Sequence, residues 1–344
     1  MRNKISLSDH IYIAGASGMA GTAIYKSLIN RGYGCKENGG KISTPSSKEL
    51  NLLNTNDVFK WFKINKPDIV VLAAAKVGGI LANSKNPADF LFNNLKIQTN
   101  VIEAAWKANC KRFLFLGSSC IYPKFADQPI EEKSLLSGSL ETTNQWYGIA
   151  KIAGIKLCEA LRLQYNFDAI SLMPTNLYGP KDNYDKDTSH VFPALIRKFY
   201  EAKINSYPIV NCWGTGEPLR EFMHSQDLGD ACVFVLENWD PDSPNSPKDE
   251  NGKPITFLNV GTGSDIKIRD LAKKIAKILD YNGEIIWDTD KPDGTPKKQL
   301  NISKIKKLGW QPKIDLDEGI KMTINTFKTE FLSSKNSKFS QNLN

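Results

Sequence analysis

The sequence predicts an α/β fold, a doubly wound parallel sheet with a smaller C-terminal α/β unit, and three observations carry that prediction. Short apolar runs alternate with stretches of helical period from residue 11 onward, the rhythm of strand, helix and parallel strand. The first apolar run passes into the first amphipathic stretch through a glycine-rich turn, Gly15 to Gly21. After Gly179-Pro180 the texture changes to shorter elements, broken by Pro193, Pro208, Gly214, Gly216 and Pro218.

Taken in order, residues 11–14 read as strand, 19–30 as helix, 69–73 as strand, 93–109 as helix and 113–117 as strand. Residues 145–164 form the longest helix candidate, with Ile149, Ile152, Ala153, Leu157, Ala160 and Leu161 tracing one apolar face. A strand over 167–173 then ends at Pro174. A nucleotide-binding domain is expected over 1–178, with 220–236 and 257–261 returning to it. A substrate-binding domain takes 179–219 and 262–334, residues 238–254 form a solvated loop, and 335–344 is a polar, frayed tail.

Composition narrows the classes of function. With 41% hydrophobic residues, 16 Phe, 11 Tyr and 7 Trp, the chain has ample apolar surface to offset chain entropy, which excludes disorder. Its notable apolar run, residues 69–75, is far short of the ~20 residues that span a bilayer. The polar residues 1–10 lack the apolar stretch of a secretory signal, so the expected location is cytoplasmic. Cysteines 35, 110, 120, 158, 212 and 232 show no CxxC spacing, and free thiols without a metal site are expected. Lys+Arg exceed Asp+Glu by 45 to 37, but the cations are spread along the chain. Anionic small molecules are thereby favoured as ligands over nucleic acid or a membrane surface.

Gly15-Ala16-Ser17-Gly18-Met19-Ala20-Gly21 lies between a strand and a helix, the context that makes a glycine pattern a phosphate cradle. Gly15 permits a tight turn, Gly18 a close approach to a pyrophosphate and Gly21 close helix packing, while the helix N-terminus stabilises the anion. This predicts a Rossmann-like dinucleotide site, and the GxxGxxG spacing resembles the short-chain dehydrogenase/reductase superfamily. After the second strand, residues 42–48 contain no carboxylate before Glu49. A 2′-phosphate would meet Ser47 and Lys48 there, so NADP(H) is the expected cofactor.

Tyr147 and Lys151 are four apart and share one face of the long helix. A cation about 4 Å from the phenol would favour phenolate by up to roughly 4 kcal/mol, or about three pKa units. Ser118, at the end of the strand over 113–117, completes a proton-transfer set. Ser118 and Cys120 are two apart, which in an extended segment points both side chains one way.

Four segments carry a closer resemblance: Ala73-Ala74-Ala75-Lys76-Val77-Gly78-Gly79-Ile80, Gly117-Ser118-Ser119-Cys120-Ile121-Tyr122-Pro123, Pro174-Thr175-Asn176-Leu177-Tyr178-Gly179-Pro180 and Lys291-Pro292-Asp293-Gly294-Thr295-Pro296. Together they resemble the GDP-L-fucose synthase family, over about residues 11–331. The resemblance implies 3,5-epimerisation and 4-reduction of GDP-4-keto-6-deoxy-D-mannose with NADPH. It assigns Cys120 as base, His190 as acid, Tyr147 as proton donor to O4, Ser118 as hydrogen-bond partner of O4 and Lys151 as holder of the ribose. It further implies cofactor contacts at Leu116, Gly117, Ser118, Ser119, Lys151, Pro174, Thr175, Asn176, Leu177 and His190. Substrate contacts fall at Lys198, Trp213, Arg220 and Asp293, His224 and Asp227 are structural, and the chain pairs as a homodimer through the helix over 145–164. Residues 35–41 are extra relative to the family pattern and are expected to lengthen a loop. A different nucleotide-sugar epimerase or dehydratase, and a non-catalytic NADP(H) binder, are the alternatives.

Overall fold

A computed structural model describes residues 3–291 and 293–341, the side chains of 80, 81 and 330–341 excepted, so Pro292 and the last three tail residues lie outside the described residues. The first half alternates strand and helix: β1 (His10–Ala14), α1 (Met19–Asn30), β2 (Lys41–Ser43), α2 (Thr55–Asn65), β3 (Ile69–Leu72), α3 (Ile80–Lys85), α4 (Pro87–Lys107), β4 (Arg112–Leu116), α5 (Gln145–Tyr165) and β5 (Ala169–Pro174). The second half brings β6 (Asn176–Tyr178), α6 (Val191–Ile204), β7 (Ile209–Trp213), β8 (Leu219–His224), α7 (Ser225–Asn238), β9 (Phe257–Val260), β10 (Asp265–Lys267), α8 (Ile268–Ile278), β11 (Glu284–Asp288), β12 (Lys297–Lys298), α9 (Ser303–Lys307) and α10 (Leu316–Gln341).

Six strands form one parallel sheet in the order β2-β1-β3-β4-β5-β9. Strands β3, β4 and β5 are buried throughout, as continuous apolar runs require when helices cover both faces. Helix α1 packs on α7, and α4 packs on α2 and α5. The strand order reverses between β1 and β3, which puts the ligand crevice beyond their carboxyl ends.

A second apolar core gathers Tyr178, Phe192, Phe199, Phe222, Leu271, Ile275 and Ile324 from the later elements. Strand β8 pairs with β6, β10 and β12 in a small sheet, and β7 pairs with β11. The stretch 220–236 is thus split, since its strand belongs to the small sheet and only α7 returns to the large one. Conversely, Leu300, Ile302, Ile305 and Trp310 pack into the first core although they lie within 262–334.

Two further expectations change. The six residues of the α5 stripe divide between two environments: Ile149, Ala153 and Ala160 are exposed, whereas Leu161 is buried and Ile152 and Leu157 pack against the first core beside the inward-facing Gly148, Lys151, Ile155 and Cys158. Glycine sets the choice of face: a Cβ on Gly154 would lie 2.5 Å from the Phe115 ring, so only that side can sit so close to β4. Residues 335–341, read as a frayed tail, continue α10. The extra residues near 35–41 form a 3₁₀ turn over Lys36–Asn38 that leads into β2. No described helix is long and apolar enough to cross a membrane.

Candidate active site

A cleft of about 1230 Å³ opens beyond the carboxyl ends of β1, β3, β4 and β5. That exceeds the ~300–1,000 Å³ of a single small-molecule pocket and accommodates a dinucleotide beside a nucleotide sugar. All of Gly15 to Gly21 line it. Gly15 sits at φ +85°, and a Cβ there would come within 2.7 Å of the Ala74 backbone. A Cβ on Gly21 would stand 2.1 Å from the Gly15 carbonyl oxygen, so both positions require glycine. Gly18 caps α1 without a side chain, which leaves the first helical N–H groups free for an anion. These residues fit a dinucleotide pyrophosphate. The runs Leu116 to Ser119 and Pro174 to Leu177 line the same cleft, as do Lys151, His190 and Ser47, whereas Lys48 does not.

Tyr147, Lys151 and Ser118 come together as their spacing requires, but the electrostatics differ from expectation. The Lys151 ammonium donates to the Leu116 carbonyl at 2.7 Å and lies 5.8 Å from the centroid of the Tyr147 ring. Burial lowers its pKa to about 7. The Tyr147 phenol is pushed up, first by burial and then by the Cys120 charge, with Ser118 opposing. The three-unit lowering expected from Lys151 is therefore absent here, because the ammonium is engaged by the strand carbonyl and is itself desolvated. A phenol with a raised pKa keeps its proton until an oxyanion needs it.

Ser118 and Cys120 face the cleft, though not through an extended segment. Residues Ser119–Ile121 form a 3₁₀ turn that the Ser118 hydroxyl caps by accepting from the Cys120 N–H at 3.2 Å. The Cys120 thiol has two neighbours that sequence reasoning missed. The Lys298 Nζ lies 3.3 Å from Sγ and the Asn144 Nδ2 3.5 Å from it. Burial opposes thiolate, but the Lys298 charge and the Ser118 contact outweigh it and hold the thiol below its ordinary value, with Glu141 pulling the other way.

His190 stands at the N-cap of α6, open to the cleft. Its loop is held by the segment after β3, where the Gly79 N–H donates to the Thr188 carbonyl at 3.2 Å. The Asn94 side chain grips both the N–H and the carbonyl of Lys76, each at 2.9 Å, and so fixes that segment. Burial and the Lys298 charge lower the His190 pKa.

Lys198, Trp213, Arg220 and Asp293 line the far end of the cleft. The Lys198 Nζ donates to the Asn211 carbonyl at 2.8 Å and sits 5.6 Å from the Trp213 ring centroid. Burial depresses the pKa of Arg220. Lys298 lies opposite Arg220 in the pairing of β12 with β8, so the two cations are neighbours. Asp293 is occupied, with one oxygen accepting from the Thr215 N–H at 2.8 Å and the other from its hydroxyl at 2.7 Å. Glu221, also unforeseen, is fully buried and accepts from the N–H groups of Thr262, Gly263 and Leu300 at 2.6, 2.7 and 2.7 Å. It ties β8, and with it Arg220, to the turn after β9 and to the segment after β12. His224 and Asp227 serve the frame: the His224 Nδ1 accepts from the Gln226 N–H, and Asp227 accepts from the N–H groups of Lys313 and Ile314.

Residues 11–247 match the NAD dependent epimerase/dehydratase family. The chain is 48% identical over 326 residues to the probable GDP-L-fucose synthase 1 of Oryza sativa subsp. japonica, covering 94% of each. It is 46% identical over 320 residues to the GDP-L-fucose synthase of Escherichia coli (strain K12), covering 93% of this chain and 96% of that one. Among solved structures it is similar to MlghC, a GDP-mannoheptose C4 reductase from Campylobacter jejuni with NADP bound. That match has a TM-score of 0.81, 36% identity and coverage of 94% and 99% of the two chains. With the glycine cradle, the Tyr147–Lys151 pair and this similarity in hand, the chain belongs to the NAD dependent epimerase/dehydratase family.

Proposed function

We propose that this chain is a GDP-L-fucose synthase, which epimerises GDP-4-keto-6-deoxy-D-mannose at C3 and C5 and reduces it at C4. The observation that carries the reading is the Cys120 thiol, 3.3 Å from the Lys298 ammonium and lining one cleft with Tyr147, Ser118 and His190. A simple ketone reductase needs no ionisable thiol in that place, whereas an epimerase needs a base and an acid on opposite faces of the sugar.

The C4 ketone acidifies the hydrogens on C3 and C5. Cys120, as thiolate, takes the proton from one face, and His190 returns one to the other. Ser118 and Tyr147 hydrogen-bond the enolate oxygen. The depressed pKa of His190 makes its imidazolium the readier to give up a proton. NADP(H) is the cofactor, and when bound it supplies hydride to C4. Gly15 to Gly21 hold its pyrophosphate and Lys151 its ribose. Tyr147 then protonates O4, a task for which its raised pKa keeps it loaded. Arg220 and Lys198 pair with the substrate diphosphate, Trp213 offers a stacking wall and Asp293 orders the turn beside it.

The exposed apolar residues Ile149 and Leu163 of α5, with Phe92 of α4, support a homodimer built on these helices. Six unpaired cysteines fit a reducing cytoplasm. The two apolar cores support a division into a nucleotide-binding and a substrate-binding domain.

The test is turnover of GDP-4-keto-6-deoxy-mannose with NADPH in D₂O, with the product read by NMR. GDP-fucose with deuterium at C3 and C5 is expected. A reduced 6-deoxy sugar with neither centre inverted would leave the reductase half standing and remove the roles given to Cys120 and His190.

A further inference from the structure

The cleft distributes its charge unevenly. Its middle and far end carry Lys151, Lys198, Arg220 and Lys298. Around the end of β2, where a dinucleotide of this fold places the adenosine ribose, the lining side chains are Ser17, Thr44, Ser46, Ser47, Asn51 and their apolar neighbours. Among the described residues that line this end, none is Lys or Arg and none is Asp or Glu. Lys48 is exposed and outside the lining. The nearest carboxylate, Glu49, folds back on the same turn and accepts from the Ser46 N–H at 2.7 Å. It therefore withdraws one amide from any incoming phosphate and leaves a negative charge one residue behind the wall.

A 2′-phosphate dianion is recognised strongly where an arginine fork or an ammonium meets it, and a free 2′-hydroxyl where a carboxylate accepts from it. Neither device is built here. Serine and threonine hydroxyls donate to phosphate oxygens and accept from a ribose hydroxyl about equally well. We propose that the neutral pocket formed by Ser17, Ser46 and Ser47 makes this chain a dual-cofactor enzyme, which takes NADH nearly as readily as NADPH. The hydride leaves either reduced nicotinamide in the same way, and the proton comes from Tyr147, so the reaction balances with both. The inference rests on the dinucleotide site alone and is independent of the sugar reading.

It is tested by titrating the full chain with NADPH and with NADH, without sugar nucleotide, following the fluorescence of the reduced nicotinamide. The expected ratio of the two Kd values is less than about tenfold, the effect of one missing charge-assisted contact. A preference for NADPH of tenfold or more overturns the proposal. Lys48→Ala is expected to change NADPH affinity by less than threefold. A larger loss would show that Lys48 reaches the phosphate and would also overturn it. Ser47→Arg should create a preference of about tenfold or more for NADPH by adding the missing fork. Ser17→Arg repeats the test from the other loop should the first variant fail to fold by circular dichroism, and no gain from either arginine would remove the pocket from the 2′ position. A protein that binds both cofactors yet turns over no sugar nucleotide would leave this inference standing and defeat the proposed activity instead.

Discussion

Around Ser17 and Ser47 the cleft wall is made of neutral hydroxyls and a glycine-capped helix end, whereas Cys120 faces Lys298 and Arg220, and Lys151 and Lys198 line the same cleft beyond. The first end binds with backbone N–H groups and the helix dipole, whose cost of desolvation is small. The second keeps several cations partly out of water, and burial depresses the pKa of Lys151, Lys198 and Arg220. Desolvated charge is placed where bonds to hydrogen are made and broken, and dipoles where a ligand is only held.

The sharpest test of that contrast is Tyr147→Phe. Turnover should fall by about 10²–10⁴ through loss of the proton donor, with the Kd for NADPH nearly kept. An equal loss of cofactor affinity would mean that the two ends are not separable. Arg220→Met should raise KM for the sugar nucleotide by about ten- to a hundredfold, the worth of a hydrogen bond to a charged group, while dinucleotide titrations stay the same.

Lys298→Met addresses the thiol directly. With the ammonium gone, burial governs Cys120 and its pKa rises. The pH midpoint of alkylation, measured in a Cys35→Ser background, should then move up by about one to three units. An unmoved midpoint would assign the thiol's acidity to Ser118.

The smallest effect concerns stability. Lys151 has a folded pKa of about 7 against an ordinary 10.5, so its protonated form opposes folding. The penalty is absent above the ordinary value, grows as pH falls through this window and is complete below about 7. A fall of that size corresponds to roughly 4–5 kcal/mol. Losing the bond to the Leu116 carbonyl costs about 1–3 kcal/mol. Lys151→Met should therefore be inactive yet about 2 kcal/mol more stable without cofactor at pH 6, with the gain gone near pH 10.5. Thermal melts at the two pH values decide it.

What was legible in the sequence was local. The glycine turn is a spacing of seven residues between a strand and a helix, and the Tyr147–Lys151 pair needs only one turn of α5. The Ser118–Cys120 relation was visible as proximity, but its geometry was misread, because a capped 3₁₀ turn and an extended strand both bring such residues to one cleft. The apolar stripe of α5 was read as one face, and its six residues fall in two environments, Leu161 in the core and Ile149 at the surface. Close packing against β4 needs Gly154, and the reacting side chains share that inward side, so part of the stripe is left at the surface. Lys298 and Asn144 could not be found locally, since no pattern around either points to Cys120. Glu221 could have been suspected, as a carboxylate in a strand with apolar neighbours must find partners. The neutral character of the 2′ pocket was half visible: the missing carboxylate could be read from residues 42–48, but only the structure shows that Lys48 is exposed and outside the lining.

The pairing of Cys120 with Lys298 also bears on how the molecule comes into being. The lysine follows the cysteine by 178 positions and reaches it only when β12 has docked beside β8. A chain emerging from the ribosome at about 5–20 residues per second carries the thiol for many seconds before its activator exists. During that interval the charge that does most to lower the thiol's affinity for its proton is absent. The enzyme readies its own base as the last strand closes, so that an unfinished or truncated chain carries an ordinary thiol there.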